Sequence, residues 1–257
     1  MRHYVSTLLG GLDELEPGTE RKLVIDMDAV VDQAADQPKP DFYYATETQQ
    51  TRYSCVKCGD FNDIRGRYGY CASCGWRNNM ATLKTSFTAL RESLNGGHLS
   101  PDATVRSAVS EFDACCRDIV VQLTRKIPLK PSRRSDLERL VFHDVDSPTI
   151  SALKSMFDID LLRGLDDEIR FVKLMMHRRH LYEHNAGVAD ERYVRMSGDP
   201  DAREGVLVRE TQANVHRLLS DLTRMAENLE SDFHEIFPPT ECPMNYHLQR
   251  QELMRQS

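Results

Sequence analysis

Between residues 82 and 237 the apolar side chains recur every three or four positions, the spacing that lines them along one face of an α-helix. TLKTSFTALRESL (82–94) predicts an amphipathic helix that stops at Gly96-Gly97. Ser100-Pro101-Asp102 then supplies a cap, a first-turn proline and a first-turn acid. The helix it opens turns Val105, Val109, Phe112, Cys115, Ile119, Val120 and Leu123 to a core and runs to about Lys126. After Pro128-Leu-Lys-Pro131, SRRSDLERLVF (132–142) predicts another helix, and Ser147-Pro148 starts a short one through Phe157. A further helix from Asp166 to about Glu183 puts Phe171, Leu174, Met175, Leu181 and Tyr182 on one face and His177, His180 and His184 on another. Asn185-Ala-Gly187 is its stop. GVADERYVRMSGDPDAREG reads as an ordered loop, with an edge strand near Tyr193–Met196, closing over that helix end. Residues 206–237 predict one long final helix stopped by Pro238-Pro239, and 240–257 a loose tail. Upstream, Leu23, Met27, Val30, Val31 and Ala34 mark a helix over 19–36 that Pro38-Lys-Pro40 ends.

The helical period is lost over residues 41–80, where FYYATETQQTRYS and GRYGY read as short, partly exposed strands. This stretch carries Cys55-Val-Lys-Cys58-Gly59 and, with twelve residues between Cys58 and Cys71, Cys71-Ala-Ser-Cys74-Gly75. Two C-x-x-C knuckles with a hairpin-sized spacer can present four thiolates tetrahedrally, as structural zinc requires. Four sulfurs leave no open position for water or substrate, so the Zn2+ expected here is not catalytic. A segment of about 40 residues buries little apolar surface, so metal binding would supply its folding energy. Arg52, Lys57, Arg65, Arg67, Arg77, Tyr68, Tyr70 and Trp76 suit either an RNA-touching face or a module docked on its own helical body. The expected organisation is an N-terminal helix (1–40), a zinc ribbon (41–80), a helical domain (81–240) and a tail (241–257). The fold class is mainly α, a helical bundle with a small inserted or N-terminal zinc ribbon of short β-hairpins.

Composition narrows the function classes. A chain of 257 residues with 40% hydrophobic and 7% aromatic content suits a soluble globular protein. No run approaches the roughly 18 apolar residues of a membrane span. MRHYVSTLLGGLDELEPG lacks the apolar run and cleavage pattern of a signal peptide, so a cytoplasmic location without membrane partners is the default expectation. A net charge of −7, with eight acids against four basic groups in residues 1–40, disfavours broad adhesion to nucleic acid but leaves room for a locally basic site. Four of the seven cysteines are assigned to metal, Cys115 and Cys116 read as small buried apolar groups, and Cys242 stands alone, so no disulfide framework is expected.

The locally basic site is the end of the helix near residue 184, where Arg178, Arg179, His180 and His184 cluster. Helix-dipole stabilisation explains basic residues in a last turn without any function. However, Arg179-His180-Leu-Tyr-Glu-His184 also resembles the motif of the HEPN superfamily of small all-helical domains, many of them ribonucleases of toxin, abortive-infection and CRISPR-linked systems. That motif is an Arg, usually followed by a polar residue, then four to six positions and a His; Arg178 satisfies the looser spacing as well. The resemblance covers about residues 82–240 and leaves the ribbon outside. It implies a homodimer whose motif helices meet across a two-fold axis to form one RNA-cutting cleft, in a microbial toxin or defence setting where an antitoxin or other regulatory protein is a further partner.

The chemistry is consistent with that implication. Cleavage of RNA by its own 2′-hydroxyl needs a base, an acid for the 5′-oxygen and positive charge at the phosphate, and no metal. His184 is the candidate base or acid, Arg179 the phosphate clamp, and His180, on the face of His184, an orienting or phosphate-contacting group. Glu183 lies four positions after Arg179 and is expected to hold its guanidinium. Arg179 and His184 are five positions apart, about 140° of helical turn, so one chain does not stack them. Two other readings are open: a noncatalytic HEPN-like dimer that binds nucleic acid or protein, and a zinc-ribbon adaptor in which His180 and His184 pack against nonpolar side chains. A zinc hydrolase using His177, His180 and His184 lacks a placed carboxylate base.

Overall fold

The computed structural model of the chain describes residues 2–16, 51–138 and 141–239. The helix expected over 19–36, the start of the first strand, Cys242 and the tail lie outside these residues. The chain divides into two compact units, Met1–Tyr53 with Asp63–Arg67, and Ser54–Asn62 with Tyr68–Ser257. The first contains α1 (Arg2–Asp13), which the apolar spacing had not singled out. Helices predominate, and the one sheet among the described residues is the hairpin of β1 (Thr51–Ser54) and β2 (Phe61–Ile64). None of the described helices is long and apolar enough to cross a membrane.

In the second unit the helices are α2 (Asn79–Asn95), α3 (Pro101–Lys126), α4 (Pro131–Glu138), α5 (Pro148–Phe157), α6 (Ile169–His184), α7 (Glu191–Met196) and α8 (Gln212–Ile236). The 26-residue α3 is the central element, packed on α2, α4, α6 and α8. Its expected face is the core: Val105, Phe112, Cys115, Ile119 and Leu123 are fully buried, as are Phe87 of α2, Met175 of α6 and Leu222, Leu229 and Phe233 of α8. Ser100 accepts the Ala103 N–H at 3.2 Å, so α3 starts where its capping sequence placed it.

Several elements differ from the apolar pattern, most of them where a polar contact outweighs it. Residues around Tyr193 form α7 instead of an edge strand, since Asp190 caps it by accepting the Tyr193 N–H at 2.7 Å. The final helix begins at Gln212, capped by Thr211, because Glu210 and Arg209 just before it are held by Asp102 of α3 at 2.9 and 2.7 Å. The predicted helix does not extend to 142: α4 is described over Pro131–Glu138, and the buried Phe142 lies outside it and donates its N–H to Asp113 at 2.7 Å. GRYGY forms no strand beyond an isolated Tyr70–Arg77 bridge, while the unexpected strand is β2. β2 reverses the usual alternation: Phe61 is exposed and Asn62 buried, because Asn62 donates to Cys71 Sγ at 3.4 Å and accepts the Ala72 N–H at 2.8 Å.

Candidate functional site

The two cysteine knuckles are built alike. In each, the first cysteine's N–H donates to a carbonyl five residues on, Asp60 at 2.9 Å and Trp76 at 2.7 Å. The following glycine returns a bond to that cysteine's carbonyl, with φ of 75° at Gly59 and 76° at Gly75, the left-handed turn that glycine adopts without a Cβ clash. The four Sγ atoms lie within 4.8 Å of one another, with Cys55–Cys74 at 3.6 Å and Cys58–Cys71 at 3.5 Å. A disulfide would need about 2.05 Å, whereas an ion about 2.3 Å from each sulfur of a tetrahedron sets edges near 3.8 Å. These buried sulfurs therefore make a potential metal-binding arrangement with no position left over for a substrate. The Lys57 N–H and the Asn62 amide point at Cys55 and Cys71, both at 3.4 Å, a polar shell that favours thiolate charge. Burial pushes the Cys58 thiol up to about 11; it also opposes ionisation of Cys71, but donors from Cys74, Asn62 and Ser73 outweigh it and hold that thiol near 7.

Three of the ribbon's aromatic and basic groups, Arg77, Trp76 and Tyr70, contact the helical body, while Arg52, Lys57, Arg65 and Arg67 are exposed. Arg77 is 1% exposed, paired with Asp118 of α3 and bonded to Asn79 at 2.9 Å. Trp76 stacks on His234 of α8 at 4.0 Å and 15°, with Lys57 4.1 Å over its ring, and the Tyr70 hydroxyl donates to Gln122 at 3.3 Å. These contacts of Arg77, Trp76 and Tyr70 are those of a module docked on its own helical body. Beneath them Glu230 of α8 is buried with its Oε1 unpartnered, and desolvation pushes its carboxyl up to about 7.

The adjacent arginines at the end of α6 have opposite surroundings. Arg178 donates to Glu210 at 2.8 Å, Asp199 at 2.9 Å and the Tyr193 hydroxyl at 3.3 Å. Burial works against its charge, but these acceptors hold it more firmly protonated than usual. It clamps the crossover between α6 and α8, with three of its five N–H donors taken and its side chain 15% exposed. Arg179, about 100° round the helix, lines a cleft of about 680 Å³ with His177 and His180. Its Nε is buried with no hydrogen-bond partner among the described residues, and Glu183, expected to clamp it, is exposed and does not bond this atom.

His184 is exposed and does not line the cleft, in keeping with its 140° offset from Arg179. Its ring lies 4.6 Å from that of His180. Burial, followed by the neighbouring basic side chains His184, Arg192 and Arg179, holds His180 below the ordinary imidazole range. The opposite wall comes from α4, α5 and the segment 141–149, and mixes Leu137, Val141 and Met156 with Arg133 and His143. Asp146 there is paired with Lys173 of α6. The sequence reading missed His143, whose partner Asp113 lies 30 positions away, beyond any local pattern. Among the described residues the four cysteines form the metal-capable group; the α6 histidines do not. No protein-family model, curated protein or solved structure matches the chain.

Proposed function

We propose that the chain is a metal-independent endoribonuclease of the HEPN type, cutting single-stranded RNA in the cytoplasm, with a structural Zn2+ held by Cys55, Cys58, Cys71 and Cys74. The observation that carries this reading is Arg179: a guanidinium with an unsatisfied donor, lining an open cleft beside an imidazole, is arranged for a phosphodiester. Its neighbour Arg178 is absorbed by carboxylates, which leaves Arg179 as the motif arginine. Arg179 clamps the phosphate, His180 contacts or orients, and His184 transfers a proton. Because His184 stands outside the cleft of its own chain, it serves the cleft of a second copy across a homodimer interface. Exposure of His184 argues against an adaptor whose histidines only pack. The toxin or defence setting, with its regulatory partner, rests on the resemblance of the motif.

The test is incubation of the purified chain with single-stranded RNA in magnesium-free buffer, alongside His184→Ala, with sedimentation to read the oligomer. Products from the wild type, lost in H184A, are expected from a dimer. Intact RNA throughout, or full cutting by H184A, refutes the proposal.

A further inference from the structure

The cleft holds a second histidine with the geometry of a general base. His143, just after α4, presents Nδ1 to Asp113 Oδ1 of α3 at 3.2 Å. Asp113 also accepts the Phe142 N–H at 2.7 Å and an Arg117 N–H at 3.3 Å. Burial alone would raise the Asp113 carboxyl, but His143, the Phe142 amide and Arg117 together hold it below its ordinary value, so it is an anion near neutral pH. An ionised carboxylate only accepts, so Nδ1 is the donor in this pair, and in the neutral ring that makes Nε2 the proton acceptor. The side chain of Asp113 is 17% exposed and that of His143 38%, so the orienting group is sheltered while the imidazole reaches the cleft. Arg179 and His180 line the same cleft from α6.

We infer that His143 is a catalytic residue, the base that accepts the 2′-hydroxyl proton of RNA held by Arg179, and that Asp113 is its positioning residue. The inference rests on the nuclease reading and deepens it. The 2′-hydroxyl proton passes to His143 Nε2 and the 2′-oxygen bonds to phosphorus. The P–O5′ bond breaks with its electron pair going to O5′, which takes a proton from the imidazole of His184 contributed by the second copy. The products are a 2′,3′-cyclic phosphate and a 5′-hydroxyl, with no metal and no outside nucleophile. Base and acid thus come from different elements, which removes the difficulty of asking one helix end for both.

Asp113 also anchors the segment after α4, so the test must separate anchoring from catalysis. His143→Asn keeps an amide N–H where Nδ1 stood, able to donate to Asp113, and leaves nothing at Nε2. It is expected to melt with the wild type and to lose about 10²- to 10⁴-fold in cleavage rate. His143→Ala is expected to lose as much and to regain part on adding imidazole. Asp113→Asn is expected to lower kcat with KM unchanged, which loosened packing would not do. Wild-type cleavage by H143N while Arg179→Ala is inactive overturns the inference and leaves the nuclease reading standing. Loss in H143N and H143A with no return on imidazole also overturns it, and absence of cleavage by the wild-type chain overturns both.

Discussion

Truncating Arg178 to Ala and, separately, Arg179 to Ala should split stability from activity at neighbouring positions. The side chain of Arg178 is 15% exposed, and its two ion-pair partners are more sheltered still, Asp199 at 5% and Glu210 at 0%. Removing the guanidinium leaves two carboxylates in a low-dielectric site without a counter-charge, which costs about 3–5 kcal/mol, far more than the lost packing of the stem. For a unit of this size each kcal/mol shifts Tm by about 2–4 °C, so a fall on the order of 10 °C is expected. Arg178→Ala combined with Asp199→Asn and Glu210→Gln should recover much of that loss, because the penalty lies in the orphaned charges. Arg179, with no such partner, should change stability by less than about 0.5 kcal/mol when truncated. Its loss should lower RNA cleavage by about 10²- to 10³-fold, the scale of one lost charge-stabilising donor. Thermal and urea unfolding followed by circular dichroism, with a cleavage assay on the same samples, measures all of this. Unchanged Tm in R178A, or a comparable fall in R179A, refutes the assignment.

Two other predictions address the ribbon. Thiol-reactive release should yield about one zinc per chain by dye titration, and chelation should lower Tm, because Arg77 and Trp76 tie the knuckles to α3 and α8; a chelator-resistant Tm with no metal released refutes the site. Glu230 has a folded-state pKa raised from 4.5 to about 7, so its stabilising contribution is complete below the lower value and is lost as pH rises through the upper. Glu230→Gln should therefore reduce the drop in urea midpoint between about pH 5 and pH 8, by up to about 3 kcal/mol of unfolding free energy; equal drops in both proteins refute it.

Much of the helical body was legible because its signals are local. α3 begins at Ser100-Pro101 and ends at Lys126 as its caps and apolar period require, and α5 spans Pro148–Phe157, opened by its first-turn proline. The misreadings came where a distant polar partner decided the matter. Asn62 turns inward because a sulfur lies there, and residues 206–210 stay out of α8 because Asp102 and Arg178 hold Arg209 and Glu210. A hydropathy pattern carries no record of such partners.

The amino-acid sequence by itself determined the knuckle spacing that gathers four thiols, the helices and their caps, and the presence of two arginines and two histidines at one helix end. These depend on neighbours within about one turn or one hairpin, where chain geometry leaves few choices. The tertiary structure alone decided which arginine is spent, since Arg178 meets Glu210 from 32 positions away. It likewise decided that Arg77 of the ribbon is buried against Asp118 and that Asp113 meets His143. Adjacent helical residues point about 100° apart, so their roles are set by whichever segments pack against each side.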